Sequence, residues 1–486
     1  MGNKILHGIQ IAVFITLSAF FMTSAGWAAT YYVNATDGKD SNQGTSEATA
    51  WKTVAKVNAS KFQPGDQILL KSGEVWREEL IVLSSGTPTN PITFGAYGNG
   101  DTPTIKGDNI RENSIRIHSS DYIIVQDIQL INWKSRGVYV TNSVGISIQR
   151  CSISGGDGNA PDHGIQIQRT TGNLLTGIQI KDNAIGTIST SETDDVLFNG
   201  ILVQGVDGAI ISGNKINTTN TVGIRVILGT TVDNTNVVVE KNELYGCFGN
   251  LLVSNTDGAI IRYNKIRDGK GVGIAIAYGS DNAEIYYNLI FNLPIKSTGL
   301  WNGMDINHNS QNGKVYNNTI FKVYRHCLVI DRETAACNGW EFRNNIFDAS
   351  ENIDTGVGDP IRKVAIGIRG KDIRYTSDNN LLLNYEGYVA SYGDGAGTLY
   401  GLADYQKVSG QDTNSLDADP LFKGLSSKNF HLQDGSPAIN AYYEERHKLP
   451  STVSSVASRD STDRGGGSNR LKVRCKCGRC SVIVDL

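Results

Sequence analysis

The residues best equipped for chemistry gather in two short stretches, "LWNGMDINHN" (300–309) and "VYRHCLVIDR" (323–332). They supply the carboxylates Asp305 and Asp331, the imidazoles His308 and His326, the guanidinium groups Arg325 and Arg332, and the indole of Trp301, with Asn302 and Asn307 among them. Two chemistries use such a set. Proton abstraction from C5 of a uronic acid needs a cation, a metal or an arginine, to neutralise the sugar carboxylate, and a base to take the proton. In that reading Asp305 and Asp331 hold Ca²⁺ through oxygen ligands, and His308, His326, Arg332 or Arg369 serves as base or carboxylate clamp. Glycoside hydrolysis instead needs two carboxyl groups, about 5 Å apart for retention or about 6.5–9.5 Å apart for inversion.

Whether these residues meet depends on the elements that carry them. Nine segments alternate strictly: "GVYVT", "GIQIQ", "GILVQ", "GIRVI", "NLLVS", "GIAIA", "GMDIN", "CLVID" and "AIGIR". A period of two turns one apolar pair of each segment inward, Met304/Ile306 and Leu328/Ile330 among them, and turns the residue between them outward. A second frame, apolar-x-x-Asn-x-apolar, recurs as "IKDNAI", "ISGNKI", "VEKNEL", "IRYNKI", "IYYNLI", "VYNNTI" and "FRNNIF". Its asparagines are Asn183, Asn214, Asn242, Asn264, Asn288, Asn318 and Asn345, and a period of roughly 20–50 residues marks a solenoid. Short strands, Gly or Asn at the corners, 10 prolines in 486 residues and no helical periodicity predict an all-β, right-handed parallel β-helix of about ten coils.

In such a solenoid the outward positions form columns. One runs Tyr139, Gln166, Leu202, Arg225, Leu252, Ala275, Asp305, Val329, Gly367. Two positions later come Thr141, Gln168, Gln204, Ile227, Ser254, Ala277, Asn307, Asp331 and Arg369. In this register Asp331 stands beside Asn307 and diagonal to Asp305, about 7 Å away. Asp305, Asp331, His326 and Arg332 are thereby expected to act in catalysis. Trp301, Asn302, Asn307, His308, Arg369 and Arg225 are expected to bind substrate, and Asp305 with Asp331 to hold any metal. The plainer readings stand beside these: an outward Asp is ordinarily a solvated residue, Trp301 packs if it is buried, His326 is satisfied by a backbone carbonyl at the coil edge, and Arg225 solubilises an aliphatic surface. The asparagine column is structural, each amide bonding the backbone of its bend and stacking on the next coil. A second candidate set, Asp157, Asp162, His163, Asp194 and Asp195, sits in "GGDGNAPDHG" and "SETDDVLFNG", read as loops carried at one edge of neighbouring coils.

Bulk properties narrow the partners. A formal charge of −3 leaves no basic stripe for nucleic acid. The N-terminus carries Lys4, an apolar run from Ile9 to Met22 and small residues through "SAGWAA", the layout of a secretory signal cleaved near Ala28 or Ala29. The run is shorter than the ~20 residues of a membrane span, so a secreted, periplasmic or cell-surface location is expected. Cys151, Cys247 and Cys327 read as buried free thiols. "CKCGRC" (475–480) offers three thiolates without a fourth ligand and is weak as a zinc site.

The opening "YYVNATDGKDSNQGTSEATAWKTVAKVNASKFQPGDQILLKSGEVW", followed by "SGTPTNPITFGAYGNGDTPTIKG", resembles the start of bacterial pectate-lyase-like β-helix proteins, among them polysaccharide lyases such as chondroitinase B and alginate lyases. "DADPLFKG" with "FHLQDGSPAIN" resembles the C-terminal close of the same class. The resemblance implies the fold over residues 31–440 and a polysaccharide ligand. Mannuronan epimerases of this fold carry Asp-Pro-His-Asp or Asp-Pro-His-Glu where this chain has only Pro161-Asp162-His163-Gly164, so no epimerase role is transferred. The expected organisation is a signal peptide (1–29), an N-terminal cap with the first coils (30–113), the repeats (114–388), a closing segment (389–450) and an atypical tail (451–486), disordered or frameshifted. The expected function is that of an exported monomer that binds and cleaves a polysaccharide, by β-elimination or by hydrolysis. The alternative is a non-catalytic carbohydrate-binding or cell-surface structural protein.

Overall fold

A computed structural model describes residues 28–440 apart from 159–161, 191–197, 219–220, 230–231, 294–301, 333–334, 352–362 and 396. The signal segment to residue 27, the tail and the CKCGRC cysteines lie outside the described residues.

The alternating segments are strands, and every inward pair is in the core: Ile165/Ile167, Ile274/Ile276, Met304/Ile306 and Leu328/Ile330 are all 0% exposed. At about 1.5–3 kcal/mol for each fully buried aliphatic side chain, this repeated pair is a dominant stabilising term of every coil. Among the described residues the strands form three long sheets of 13, 13 and 12 strands, each ordered by successive coils. One sheet, which carries all the outward columns above, runs from Leu80–Val82 through Arg136–Thr141, His163–Gln168, Val222–Ile227, Ile274–Ala277, Met304–Ile306, Leu328–Asp331 and Ile366–Arg369 to Ala390–Tyr392. It is parallel throughout until Thr398–Tyr400 pairs antiparallel to its last coil.

The glycine that precedes most of the alternating strands has a packing cause. A Cβ on Gly164 or Gly200 would lie 2.6 Å from the carbonyl oxygen of Gly200 or Gly223 on the next coil, so the coils could not approach at this corner.

The asparagine column is a continuous hydrogen-bonded ladder. Oδ1 of Asn264 accepts from the backbone N–H and the Nδ2 of Asn242 at 3.1 and 3.0 Å, while its own Nδ2 donates to the Val239 carbonyl at 2.9 Å. The same bonds recur from Asn183 to Asn345. The ladder starts where the N–H of Cys151 donates to Asn183, and it goes one coil beyond the sequence frame, to Asn380, which donates to Asp412 Oδ1 at 3.0 Å. The residue before each asparagine takes a left-handed conformation, as Tyr263 (φ 57°) and Tyr287 (φ 55°) do, which turns the chain and aims the amide inward. Cys151, Cys247, Cys327 and Cys337 are buried free thiols, and burial pushes Cys151 up to about 12 and Cys337 up to about 11.

Candidate functional site

The column read from the sequence exists strand by strand. Tyr139 pairs with Gln166, Gln166 with Leu202, Leu202 with Arg225, Arg225 with Leu252, Leu252 with Ala275, Ala275 with Asp305, Asp305 with Val329 and Val329 with Gly367. Asp331 pairs with Arg369 in the companion column, which leaves Asp331 diagonal to Asp305 on the next coil.

A hydrogen-bonded path joins the two carboxylates across three coils. Nδ2 of Asn302 donates to Asp305 Oδ1 at 2.6 Å, and Oδ1 of the same amide accepts the backbone N–H of His326 at 3.1 Å. The His326 ring then places Nε2 3.4 Å from Nη2 of Arg369, whose Nη1 donates to Asp331 Oδ2 at 3.0 Å. Asn302 and His326 are buried at the start of their strands, and Asp305 and Asp331 are partly exposed. Buried amide and imidazole groups thus hold accessible carboxylates. Gly367 makes room for this arrangement, since a Cβ there would meet Val329, His326 and Ser391 at 3.2–3.3 Å.

Beside Asp331 the surface opens into a cavity of about 590 Å³ lined by Asp331, Arg332, Arg369, Asp394 and Gly395. Arg332 donates from Nη1 to Asp372 at 3.0 Å, and its backbone N–H donates to Asp331 Oδ1 at 2.7 Å. Both guanidinium groups of the cavity are therefore ion-paired with carboxylates of the protein. Asp394 went unnoticed in the sequence because it lies in the closing segment, past the last repeat, where no periodic frame reaches.

The other candidates spread out. Asn307 sits just past its strand, its N–H donating to the Ile276 carbonyl at 3.0 Å. His308 takes a left-handed conformation (φ 50°) at the next corner, where its ring stacks on Tyr278 at 4.1 Å. Arg225 lies three strands upstream of Asp305, partly buried, and its burial lowers its affinity for the proton. Trp301 lies outside the described residues. Arg325 is buried.

The second candidate set is not an exposed loop cluster where it is described. His163 opens the strand His163–Gln168, is 5% exposed and lies 3.2 Å (Nδ1) from Nδ2 of Asn199. Burial, with Arg136 and Arg225 nearby, pushes its imidazole down to about 3, so it is neutral. Asp162 is fully buried. Asp194 and Asp195 lie outside the described residues.

No group of three or more His, Cys, Asp or Glu side chains suited to a metal ion occurs among the described residues. Asp331, one of the two carboxylates expected to hold Ca²⁺, is ion-paired with Arg369 at 3.0 Å. No described helix is long and apolar enough to cross a membrane.

Residues 199–382 match the family model for the right handed beta helix region. The solenoid is a right-handed parallel β-helix. Over 107 residues, 19% of the chain, this β-helix protein is 35% identical to the lacto-N-biosidase of Bifidobacterium longum and covers 7% of that protein. Over 209 residues, 39% of the chain, it is 28% identical to the uncharacterized protein YwoF of Bacillus subtilis and covers 42% of it. The chain thus spans less than half the length of either curated relative. Among solved structures, the GH136 lacto-N-biosidase of Eubacterium ramulus aligns with 17% identity and a TM-score of 0.45, over 72% of this chain and 67% of that one. The periplasmic alginate epimerase AlgG aligns with 13% identity and a TM-score of 0.44, over 68% of this chain and 74% of that one.

Proposed function

We propose that this β-helix protein is an exported glycan-acting enzyme that hydrolyses a glycosidic bond of an uncharged saccharide, with Asp305 and Asp331 as the reacting carboxyl groups. The observation that carries the reading is the pairing of Arg369 with Asp331 and of Arg332 with Asp372. A uronate-cleaving lyase needs cationic charge to spare for the sugar carboxylate, and both guanidinium groups on this cavity are already matched by protein carboxylates. Hydrolysis needs only the two carboxyl groups. The lacto-N-biosidase name of the relative that is 35% identical over 107 residues also supports glycoside hydrolysis.

In this mechanism Asp331, held as an acceptor by Arg369, takes a proton from the attacking water as its oxygen bonds to the anomeric carbon. Asp305, whose Oδ1 accepts from the Asn302 amide, is assigned the acid and gives its proton to the departing glycosidic oxygen. Water is added across the broken bond, and the two carboxyl groups exchange protonation states before the next cycle. Asn302 and His326 position the pair.

Purified protein incubated with pectate, alginate, glycosaminoglycans and neutral glycans, with and without Ca²⁺, tests the reading. New reducing ends without ultraviolet absorbance are expected on a neutral glycan. Absorbance from unsaturated uronates would replace hydrolysis by elimination, and neither signal on the full panel would favour the binding-only alternative.

A further inference from the structure

We infer that Tyr278, backed by His308, is a sugar-stacking platform that receives a pyranose unit of an uncharged glycan on the N-terminal side of Asp305. The inference rests on the glycan reading above and assigns a residue to it that the sequence columns passed over.

Tyr278 follows Ala275 by three positions, as His308 follows Asp305, and Ala275 and Asp305 are register partners. The two rings therefore occupy the same corner of adjacent coils and lie nearly parallel, with centroids 4.1 Å apart and planes at 8°. One face of Tyr278 is covered by the imidazole, yet the residue is 55% exposed. A comparable corner stack on another sheet, Tyr263 with Tyr287 at 5.3 Å, keeps both rings half-buried. A coil-to-coil stack alone therefore does not require an exposed ring.

The ring also belongs to the face that carries the carboxylates. Tyr278 lies within electrostatic range of the partly buried Arg225 guanidinium, two strands upstream. Arg225, Leu252, Ala275 and Asp305 are consecutive outward residues of one column, and Tyr278 borders them. An aromatic face beside an aliphatic strip accepts the C–H face of a pyranose, and guanidinium and phenol groups bond its hydroxyls. Strands about 4.8 Å apart place such a sugar within one or two units of a bond held at Asp305.

The test compares the wild type with Tyr278→Ala, Tyr278→Phe and Tyr385→Ala. Tyr385 is an exposed tyrosine on the turn after Leu381–Leu383, a strand of the 12-stranded sheet. The full chains are run on native gels containing xylan, galactan, glucomannan or mixed-linkage β-glucan, and KM and kcat are measured on any glycan that is cleaved. For at least one glycan, Tyr278→Ala is expected to weaken binding about tenfold, equivalent to about 1.4 kcal/mol, and to raise KM with kcat nearly unchanged. Tyr278→Phe should stay within about threefold of the wild type, because the ring and not the hydroxyl supplies the stacking face. Tyr385→Ala should behave as the wild type. Equal retardation of Tyr278→Ala and wild type, or a wild type retarded by none of the four glycans, overturns the platform. Retardation lost in Tyr278→Ala without cleavage of any glycan keeps the platform and removes hydrolysis, and cleavage unaffected by Tyr278→Ala does the reverse.

Discussion

Arg369 joins the two acidic halves of the site: its Nη1 donates to Asp331 Oδ2 at 3.0 Å, and its Nη2 lies 3.4 Å from Nε2 of His326, whose backbone N–H is tied through Asn302 to Asp305. The two residues of the Arg369–Asp331 pair are 38 positions apart in the chain and meet because their strands are register partners. Losing the guanidinium should free the Asp331 side chain while leaving the sheet intact. Arg369→Met is therefore expected to lower kcat about 10–100-fold with little change in thermal midpoint, as an initial-rate assay beside a melting curve would show. An unchanged kcat would remove Arg369 from the site.

Asp305→Asn and Asp331→Asn each remove a proton-transferring group at a partly exposed position. Activity on the cleaved glycan should fall about a thousandfold in either variant, while stability shifts by no more than about 0.5 kcal/mol. Full activity in both would move the chemistry elsewhere on the molecule.

Ordinary sheet spacing puts diagonal residues such as Asp305 and Asp331 about 7–8 Å apart, within the range in which a water fits between an inverting base and the sugar. Hydrolysis should therefore invert the anomeric configuration. Proton NMR of the first product, recorded before mutarotation, distinguishes this from retention.

Asn264→Ala cuts the ladder in mid-solenoid. It removes the acceptor of the Asn242 N–H and of one Nδ2 hydrogen, leaving the buried N–H without a partner and Nδ2 with only the Ile211 carbonyl. A loss of about 2–4 kcal/mol in unfolding free energy is expected by denaturant titration, with the activity of the folded fraction unchanged. A loss below about 0.5 kcal/mol would contradict a stabilising role for the ladder.

His163 makes stability depend on pH. Its folded-state value is pushed down to about 3 from the ordinary 6.5, so the unfolded chain binds the extra proton between those limits. The neutral ring's contribution is fully present above about pH 6.5 and is lost as the pH falls toward 3. Melting curves from pH 7 to pH 4 should show His163→Gln losing less stability on acidification than the wild type. Parallel losses in the two proteins would place the acid sensitivity elsewhere.

The solenoid, its inward pairs and the outward column from Tyr139 to Gly367 were legible in the amino-acid order because they are periodic. A residue's face follows from parity within its strand, and its neighbour on the next coil follows from the repeat. The asparagine frame was legible for the same reason, except at Asn380, where the apolar position of the motif is lost. Tertiary structure alone decided which polar groups commit to one another. The repeat already placed Asp331 beside Arg369, but that these two form an ion pair, and that Arg332 reaches Asp372, follows only from the folded side chains. It also decided that His163 is a buried, neutral wall residue, and that Tyr278 presents its ring to solvent while the tyrosines of another corner stack stay half-buried. Burial depends on what neighbouring coils and loops lay over a position, and that covering is a property of the folded molecule.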